Sequence, residues 1–156
     1  MALGNWLRGG KAEPKGDFAV AKSEQEWRRD LSAEQYRVLR EHGTERPFTS
    51  PLNKEHRAGT FCCAGCGQEL FAADAKFESR TGWPSFFAPL DGGVATSEDN
   101  AFLMRRTEVH CSRCGGHLGH VFEDGPAPTG LRYCMNGAAM SFQPSEGAVV
   151  AHDKRT

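Results

Sequence analysis

The stretches Cys63-Ala64-Gly65-Cys66-Gly67 and Cys111-Ser112-Arg113-Cys114-Gly115 are two matched Cys-x-x-Cys-Gly knuckles in a chain of 156 residues. Two residues between the cysteines let both thiolates of one turn face a common point. The glycine that follows permits the positive φ that such turns often need. Together the knuckles supply four thiolates, which form a complete tetrahedral shell for zinc. Because this shell leaves no open coordination position, we predict a structural zinc site.

Two other interpretations of the knuckles are redox-active Cys-x-x-Cys pairs and cysteines that are simply buried. Two matched knuckles in one chain favour the metal. The knuckles are further apart than those of a compact zinc ribbon, which leaves room for a sheet between them.

The segment after the first fifty residues has the pattern of an antiparallel β domain. Short apolar and aromatic runs alternate there with Gly, Pro, Asp and Asn, and no long helical pattern lies between them. The predicted strands are residues 59–62, 69–71, 101–110, 118–122, 131–136 and 140–142. We therefore predict a mainly β fold with a structural zinc site.

Two short helices are predicted before the strands. Ser23 with Glu26 and Ser32 with Gln35 have the spacing of capping boxes, in which two backbone N–H groups at the start of a helix are satisfied reciprocally. Gly43 is predicted to end the second helix at its C′ position. Residues 1–20 show no periodicity and are predicted to be a flexible arm. We expect the catalytic or binding domain at residues 21–144 and a tail at 145–156.

The composition limits the classes of partner. The formal net charge is -1, which gives no general attraction to nucleic acid or to an anionic membrane. No apolar run approaches the roughly 20 residues that a membrane span needs. We therefore expect neither nucleic acid nor membrane as a partner, and we expect a cytoplasmic monomer. In a reducing compartment, six cysteines indicate metal binding or catalysis before disulfides.

The two cysteines outside the knuckles are Cys62 and Cys134. Alternation along the predicted strand 131–136 places Arg132, Cys134 and Asn136 on one face. Because a neighbouring guanidinium favours the thiolate, Cys134 is a candidate nucleophile. A lone strand cysteine is more often a small buried hydrophobe, but its two polar neighbours weaken that alternative.

Two histidines follow the second knuckle closely. In a regular strand His117 and His120 would face opposite sides, but a turn or bulge at Gly119 would bring both to one pocket. They are candidate zinc ligands or, because four cysteines already complete the shell, proton-transfer groups. Asp124 is predicted to orient one imidazole. Trp83, in a Gly and Pro turn, is either a rigid apolar wall or an ordinary core residue.

Taken together, these motifs resemble the methionine-R-sulfoxide reductases, the MsrB family, over residues 24–143. The stretches that carry the resemblance are residues 43–49, 63–71, 81–86, 106–114, 115–126 and 132–142. The resemblance implies two antiparallel sheets preceded by helices, a fold also called β-tent or Mss4-like. It also implies that zinc is held by Cys63, Cys66, Cys111 and Cys114.

The resemblance further implies roles for the residues outside the zinc site. The family nucleophile matches Cys134. The acid–base and polar residues match His117, His120, Asp124 and Asn136. The aromatic residue that binds the substrate methyl group matches Trp83, and Arg132 and Thr44 match positions near the pocket.

The implied activity is thiol-dependent reduction of methionine-R-sulfoxide, in proteins or peptides, to methionine. Cys134 would be left as a sulfenic acid, which a resolving thiol, thioredoxin or another thiol then reduces. Many family members carry the resolving cysteine at the position of Thr81. Here either Cys62 resolves after a loop movement, or an external thiol reduces the sulfenic acid directly, and we favour direct reduction.

A different class of function is a non-catalytic, zinc-ribbon-like module that binds proteins or nucleic acid. Two knuckles alone would be compatible with such a module. This interpretation predicts a basic face and a Cys134 that is merely buried. The near-neutral charge and the group of His, Cys and Asn residues disfavour it.

Overall fold

The computed structural model describes residues 18–100 and 104–145. In this part of the chain two helices precede nine strands. The helices are α1 (Glu24–Asp30) and α2 (Ala33–Glu41). The strands are β1 (Gly59–Cys63), β2 (Glu69–Ala72), β3 (Lys76–Phe77), β4 (Ser85–Phe86), β5 (Val94–Asp99), β6 (Arg106–Cys111), β7 (His117–Phe122), β8 (Arg132–Met135) and β9 (Met140–Pro144).

The strands form two antiparallel sheets. The smaller has the order β2-β1-β9, and the larger has the order β3-β4-β8-β7-β6-β5. The predicted fold class of two antiparallel sheets with short N-terminal helices is therefore confirmed. In the larger sheet β8 and β7 are central, so the polar residues predicted on these strands become neighbours.

Aromatic rings join the two sheets in the core. Phe71 on β2 stacks on Phe86 of β4 with ring centroids 4.3 Å apart. Phe61 on β1 meets the same ring edge-on at 5.0 Å. These three side chains are fully buried. Such burial is the main favourable term in folding, and it holds the two sheets together.

The two helices begin as predicted. Ser23 and Glu26 form a capping box with hydrogen bonds of 3.1 and 2.9 Å, and Ser32 and Gln35 repeat it. α2 ends at Glu41 with His42 as its C-cap, so Gly43 occupies the predicted C′ position. His42 takes the left-handed conformation, with φ 57°. A glycine is needed at position 43 because the backbone there lies close to Arg37. An added Cβ would lie 2.8 Å from the carbonyl oxygen of Arg37.

The largest difference between the predicted and observed strands is β5, which the sequence pattern did not indicate. Its exposed and half-buried side chains are mostly polar, as suits a strand at a sheet edge, so the apolar signal is weak. The predicted strand at 101–110 begins only at Arg106, and residues 101–103 lie outside the described part. The predicted strand at 131–136 is shorter by one residue at each end.

The end of the predicted flexible arm is in fact packed against the domain. The Val20 N–H donates to the carbonyl oxygen of Arg113 at 3.0 Å, and the Phe18 ring meets His110 edge-on. The rest of the arm, residues 1–17, and the tail after residue 145 lie outside the described residues. Among the residues described, no helix has the length and apolar character needed to span a bilayer.

Candidate active site

The four knuckle cysteines come together where the two sheets meet. Their sulfur atoms all lie within 4.8 Å of one another. The Cys63 and Cys114 sulfurs are 3.7 Å apart, and the Cys66 and Cys111 sulfurs are 3.5 Å apart. A tetrahedral zinc with Zn–S bonds of about 2.3 Å would hold its thiolates about 3.8 Å apart. A disulfide would need about 2.05 Å. The donor set and its spacing therefore fit zinc.

The two knuckles have the same backbone geometry. Gly67 and Gly115 have φ values of 84° and 76°, as predicted. Each glycine N–H donates to the carbonyl oxygen of the first cysteine in its knuckle, Cys63 at 2.8 Å or Cys111 at 2.9 Å. Because β1 belongs to the smaller sheet and β6 to the larger, a metal here would join the two sheets.

Cys134 lies in the middle of the larger sheet. On β8 it pairs with Ser85 of β4 on one side and with His120 of β7 on the other. Burial raises the pKa of the Cys134 thiol, while the charge of Arg132 and hydrogen bonds with Thr81 and Arg132 oppose this shift. Arg132 favours the thiolate, as the sequence predicted, but burial outweighs the guanidinium.

A bulge on β7 brings the two predicted histidines together. Val109 pairs with Gly119 and His110 with His117, so Leu118 is the extra residue. The bulge lies one residue before the predicted position. The His117 and His120 rings are 5.5 Å apart. His120 is directly opposite Cys134, so both side chains project from the same face of the sheet.

Each of these imidazoles has a carboxylate partner that the sequence analysis missed. His117 Nδ1 lies 2.7 Å from Glu108 Oε2, and His120 Nε2 lies 2.9 Å from Asp99 Oδ2. Burial would raise the pKa of Glu108, but the hydrogen bond with His117 and the nearby His110 and His42 rings hold it far below its ordinary value. Burial lowers the pKa of His120, and the contact with Asp99 opposes this shift only in part.

Asp124 does not contact either imidazole, contrary to the prediction. It lies beyond the end of β7 and pairs with Arg132 through contacts of 2.9 and 3.2 Å. The Arg132 guanidinium also lies 4.6 Å from the centre of the Phe122 ring. Asp124 therefore positions Arg132, and through it the surroundings of Cys134.

Asn136 is buried, and both ends of its amide are engaged. Its Nδ2 donates to the carbonyl oxygen of Leu118 at 3.0 Å, and its Oδ1 accepts from the backbone N–H of Glu45 at 2.9 Å. It therefore holds the bulge of β7 rather than contacting either imidazole. Thr44, the other predicted pocket residue in this segment, is exposed, and its carbonyl oxygen accepts from Arg37.

Glu45 is a third residue that the sequence analysis missed. Its carboxylate is buried and accepts hydrogen bonds of 2.8 Å from the backbone N–H groups of Gly137 and Ala138. Its carbonyl oxygen accepts from the indole N–H of Trp83 at 3.1 Å. Trp83 is only half-buried, so it is not an ordinary core residue, and Glu45 fixes the orientation of its ring.

Comparison with known proteins agrees with this geometry. A model of the SelR domain matches residues 31–144. A protein of Methanosarcina barkeri named peptide methionine sulfoxide reductase MsrB is 57% identical over 82% of this chain and 91% of its own length. Proteins with the same name from Leptospira interrogans and Bradyrhizobium diazoefficiens are 54% and 57% identical, over 81% and 82% of this chain and 98% and 93% of theirs.

The chain belongs to the MsrB family. The family match begins at Leu31, between the two helices, and ends at the last residue of β9. It therefore includes both knuckles, Cys134, the two histidines and their carboxylate partners, while α1 lies before it.

This chain departs from the MsrB family pattern at the position of the resolving cysteine. Thr81 occupies the position where the resemblance places the common resolving cysteine, and its hydroxyl lowers the pKa of Cys134. Cys62, the other cysteine outside the knuckles, lies on β1 in the smaller sheet, whereas Cys134 lies in the larger one. Burial raises the pKa of the Cys62 thiol.

Proposed function

We propose that this protein reduces the R epimer of methionine sulfoxide in peptides and proteins to methionine, with Cys134 as the nucleophile. The observation that carries the proposal is the pairing of Cys134 with His120 across two central strands, with His117 beside them. This arrangement gives a thiol and two proton-transfer groups on one sheet face. The names of the family relatives support the same reaction.

In the first step the Cys134 thiol must lose its proton, because its buried resting form is neutral. His120 is the acceptor that the sheet register supplies. Its lowered pKa keeps the ring neutral near pH 7 and therefore able to accept a proton. Arg132 and Thr81, which already lower the pKa of the thiol, stabilise the thiolate that forms.

The thiolate then attacks the sulfoxide sulfur and forms a bond between the two sulfur atoms. The imidazoles protonate the sulfoxide oxygen, which leaves as water. A water molecule then attacks the Cys134 sulfur, and the bond between the two sulfurs breaks with its electron pair kept by methionine. Methionine is thereby reduced and released, and Cys134 is oxidised to a sulfenic acid. Glu108 binds Nδ1 of His117 and leaves Nε2 as the nitrogen that exchanges a proton.

Selection of one epimer requires three fixed points around the sulfoxide sulfur. Cys134 provides the attacking sulfur atom. The imidazoles provide the proton for the sulfoxide oxygen, and Trp83 provides an apolar wall for the methyl group. The indole N–H of Trp83 donates to the carbonyl oxygen of Glu45, so the Trp83 ring has one orientation. A site with these three points distinguishes the R from the S epimer, and we assign it to R.

Recycling in this proposal is direct reduction of the sulfenic acid by thioredoxin or another external thiol. The separation of Cys62 and Cys134 on different sheets supports this route over an internal disulfide. Zinc at the four knuckle cysteines would act as a structural link between the sheets. We further propose that the enzyme acts as a monomer in the reducing cytoplasm, where thiol reductants are abundant.

The test is incubation of the zinc-loaded protein with separated R and S epimers of a methionine sulfoxide peptide and dithiothreitol. We expect consumption of R alone by wild type, and none by Cys134→Ser. Cys62→Ser, which also changes a half-buried cysteine on a strand, should retain full activity. Turnover by Cys134→Ser would exclude the nucleophile. No turnover of either epimer by folded wild type would favour a non-catalytic zinc-binding module.

A further inference from the structure

Phe48 is a large apolar side chain that the fold leaves in water. Among the residues that the structure describes, Phe48 and Met104 are the exposed large hydrophobic residues, with 72% and 56% of their surface accessible. An isolated exposed apolar residue needs no explanation. Phe48 does need an explanation, because of its backbone conformation and its position in the fold.

The backbone of Phe48 is in a conformation that a bulky residue rarely adopts. Its φ is 66°, in the left-handed region. Its N–H donates to the carbonyl oxygen of Gly82 at 2.7 Å, and the same oxygen accepts from the Asn53 side chain at 3.0 Å. The surrounding loop therefore imposes the strain. Strain of this kind is concentrated at binding and active sites.

Phe48 lies beside the loop that carries Trp83. Its ring packs directly on Gly82, where an added Cβ would lie 2.9 Å from the ring. Gly82 precedes Trp83, the proposed wall for the substrate methyl group. Glu45, three residues before Phe48, holds the Trp83 indole through its carbonyl oxygen. The loop carrying Phe48 and the loop carrying Trp83 are thus one hydrogen-bonded platform.

We infer that Phe48 is a peptide-binding subsite, which contacts an apolar side chain next to methionine sulfoxide in the substrate. The inference rests on the proposed function and names its substrate class. A peptide whose methionine sulfoxide is in the pocket must run outward over the rim. An exposed, rigidly held aromatic ring on that rim offers its neighbouring side chain an apolar surface.

The subsite distinguishes peptides from the free amino acid derivative. N-acetyl-methionine sulfoxide has no neighbouring side chain, so it gains nothing from Phe48. A peptide with Leu on both sides of methionine sulfoxide gains the contact, and a peptide with Ser on both sides gains little. Wild type should therefore have a higher kcat/KM for the Leu peptide than for the Ser peptide.

The experiment compares wild type with Phe48→Ala on these three substrates, each as the R epimer. We expect kcat/KM for the Leu peptide to fall about fivefold, the size typical of a small apolar contact. The values for the Ser peptide and for N-acetyl-methionine sulfoxide should change less than about twofold. Phe48→Gly, which removes the ring and also relieves the left-handed backbone, should behave in the same way if the Ala variant folds poorly.

Met104→Ala is the matched control, because it removes the other exposed large apolar side chain, and it should leave all three values unchanged. Equal losses on every substrate, no loss on any, or the same selective loss in Met104→Ala would each overturn the subsite. Absence of turnover by wild type on all three substrates would instead overturn the proposed function, and the subsite with it.

Discussion

His117 Nδ1 lies 2.7 Å from Glu108 Oε2, and both side chains are almost fully buried. The contact fixes which imidazole nitrogen is left for the substrate. We predict that Glu108→Gln lowers kcat about 10- to 100-fold, because His117 loses its charged partner and its fixed orientation. Steady-state kinetics on the R epimer measure this change. Glu98→Gln, which breaks only an exposed pair with Arg105, should retain activity.

The same carboxylate predicts a pH dependence of stability. The folded-state pKa of Glu108 is lowered from the ordinary value of 4.5. A group with a lowered folded pKa contributes its full stabilisation above its unfolded pKa, and this contribution is lost as the pH falls below that value. Urea unfolding should therefore show a larger difference between wild type and Glu108→Gln at about pH 7 than at about pH 3. An unchanged difference would contradict this assignment.

The buried carboxylate of Glu45 predicts a combined loss of stability and substrate affinity. In Glu45→Gln an amide group faces a backbone N–H of Gly137 or Ala138, which leaves buried donors unsatisfied. We expect the unfolding free energy to fall by about 1–3 kcal/mol. KM should rise because the Trp83 wall loosens. Glu34→Gln, an exposed change in α2, is the control for both measurements.

The surroundings of Cys134 predict how its reactivity depends on pH. Because burial raises its pKa, the rate of alkylation by iodoacetamide should increase with pH to a midpoint above 9.0, the ordinary value. Arg132→Met removes a charge that lowers this pKa, so labelling at about pH 8 should slow several-fold. Arg132→Lys should restore part of the rate, and Arg105→Met, an exposed arginine, should not alter it. Labelling that is independent of pH would show a resting thiolate.

The four-cysteine cluster predicts that zinc is needed for the fold. Cys66→Ser should lose bound zinc, measured by metal analysis of the purified protein, and its melting transition should move to much lower temperature or disappear. Zinc binding in model finger peptides is worth about 10–16 kcal/mol at pH 7, so its loss outweighs most other single changes. Cys62→Ser, four residues earlier and outside the knuckles, should keep the metal and the transition.

The proximity of Thr81 to Cys134, whose pKa its hydroxyl lowers, predicts an engineered recycling disulfide. In Thr81→Cys, treatment with substrate and no reductant should give a disulfide between the introduced thiol and Cys134, seen by mass spectrometry of proteolytic fragments. Wild type under the same conditions should show oxidised Cys134 without a disulfide. A Cys62–Cys134 disulfide in wild type would contradict direct reduction of the sulfenic acid.

The chemistry of the chain could be predicted from local patterns. Cysteine spacing defines the metal cluster, because two residues between ligands set their geometry within one turn. Strand alternation places Arg132 and Cys134 on one face, and in the fold Arg132 lowers the pKa of Cys134. The capping boxes of α1 and α2 likewise depend on residues three apart, and both formed as predicted.

The contacts between residues on different strands could be identified only from the tertiary structure. Glu108 and Asp99 contact the histidines because β6 pairs with β7, β5 with β6, and a bulge at Leu118 shifts the register. Asp124 is closer to both histidines in sequence but lies beyond the end of β7, where it meets Arg132 instead. Glu45 reaches Gly137 across ninety-two positions of sequence.

Sequence by itself therefore identified the candidate thiol and imidazoles and the four cysteines that could hold a metal. Tertiary structure alone decided which carboxylate each imidazole contacts, that burial raises the pKa of Cys134, and that Phe48 is exposed beside Gly82. The physical reason is that spacing fixes geometry only within a turn or a strand. Register, burial and strain arise from contacts between segments distant in the chain.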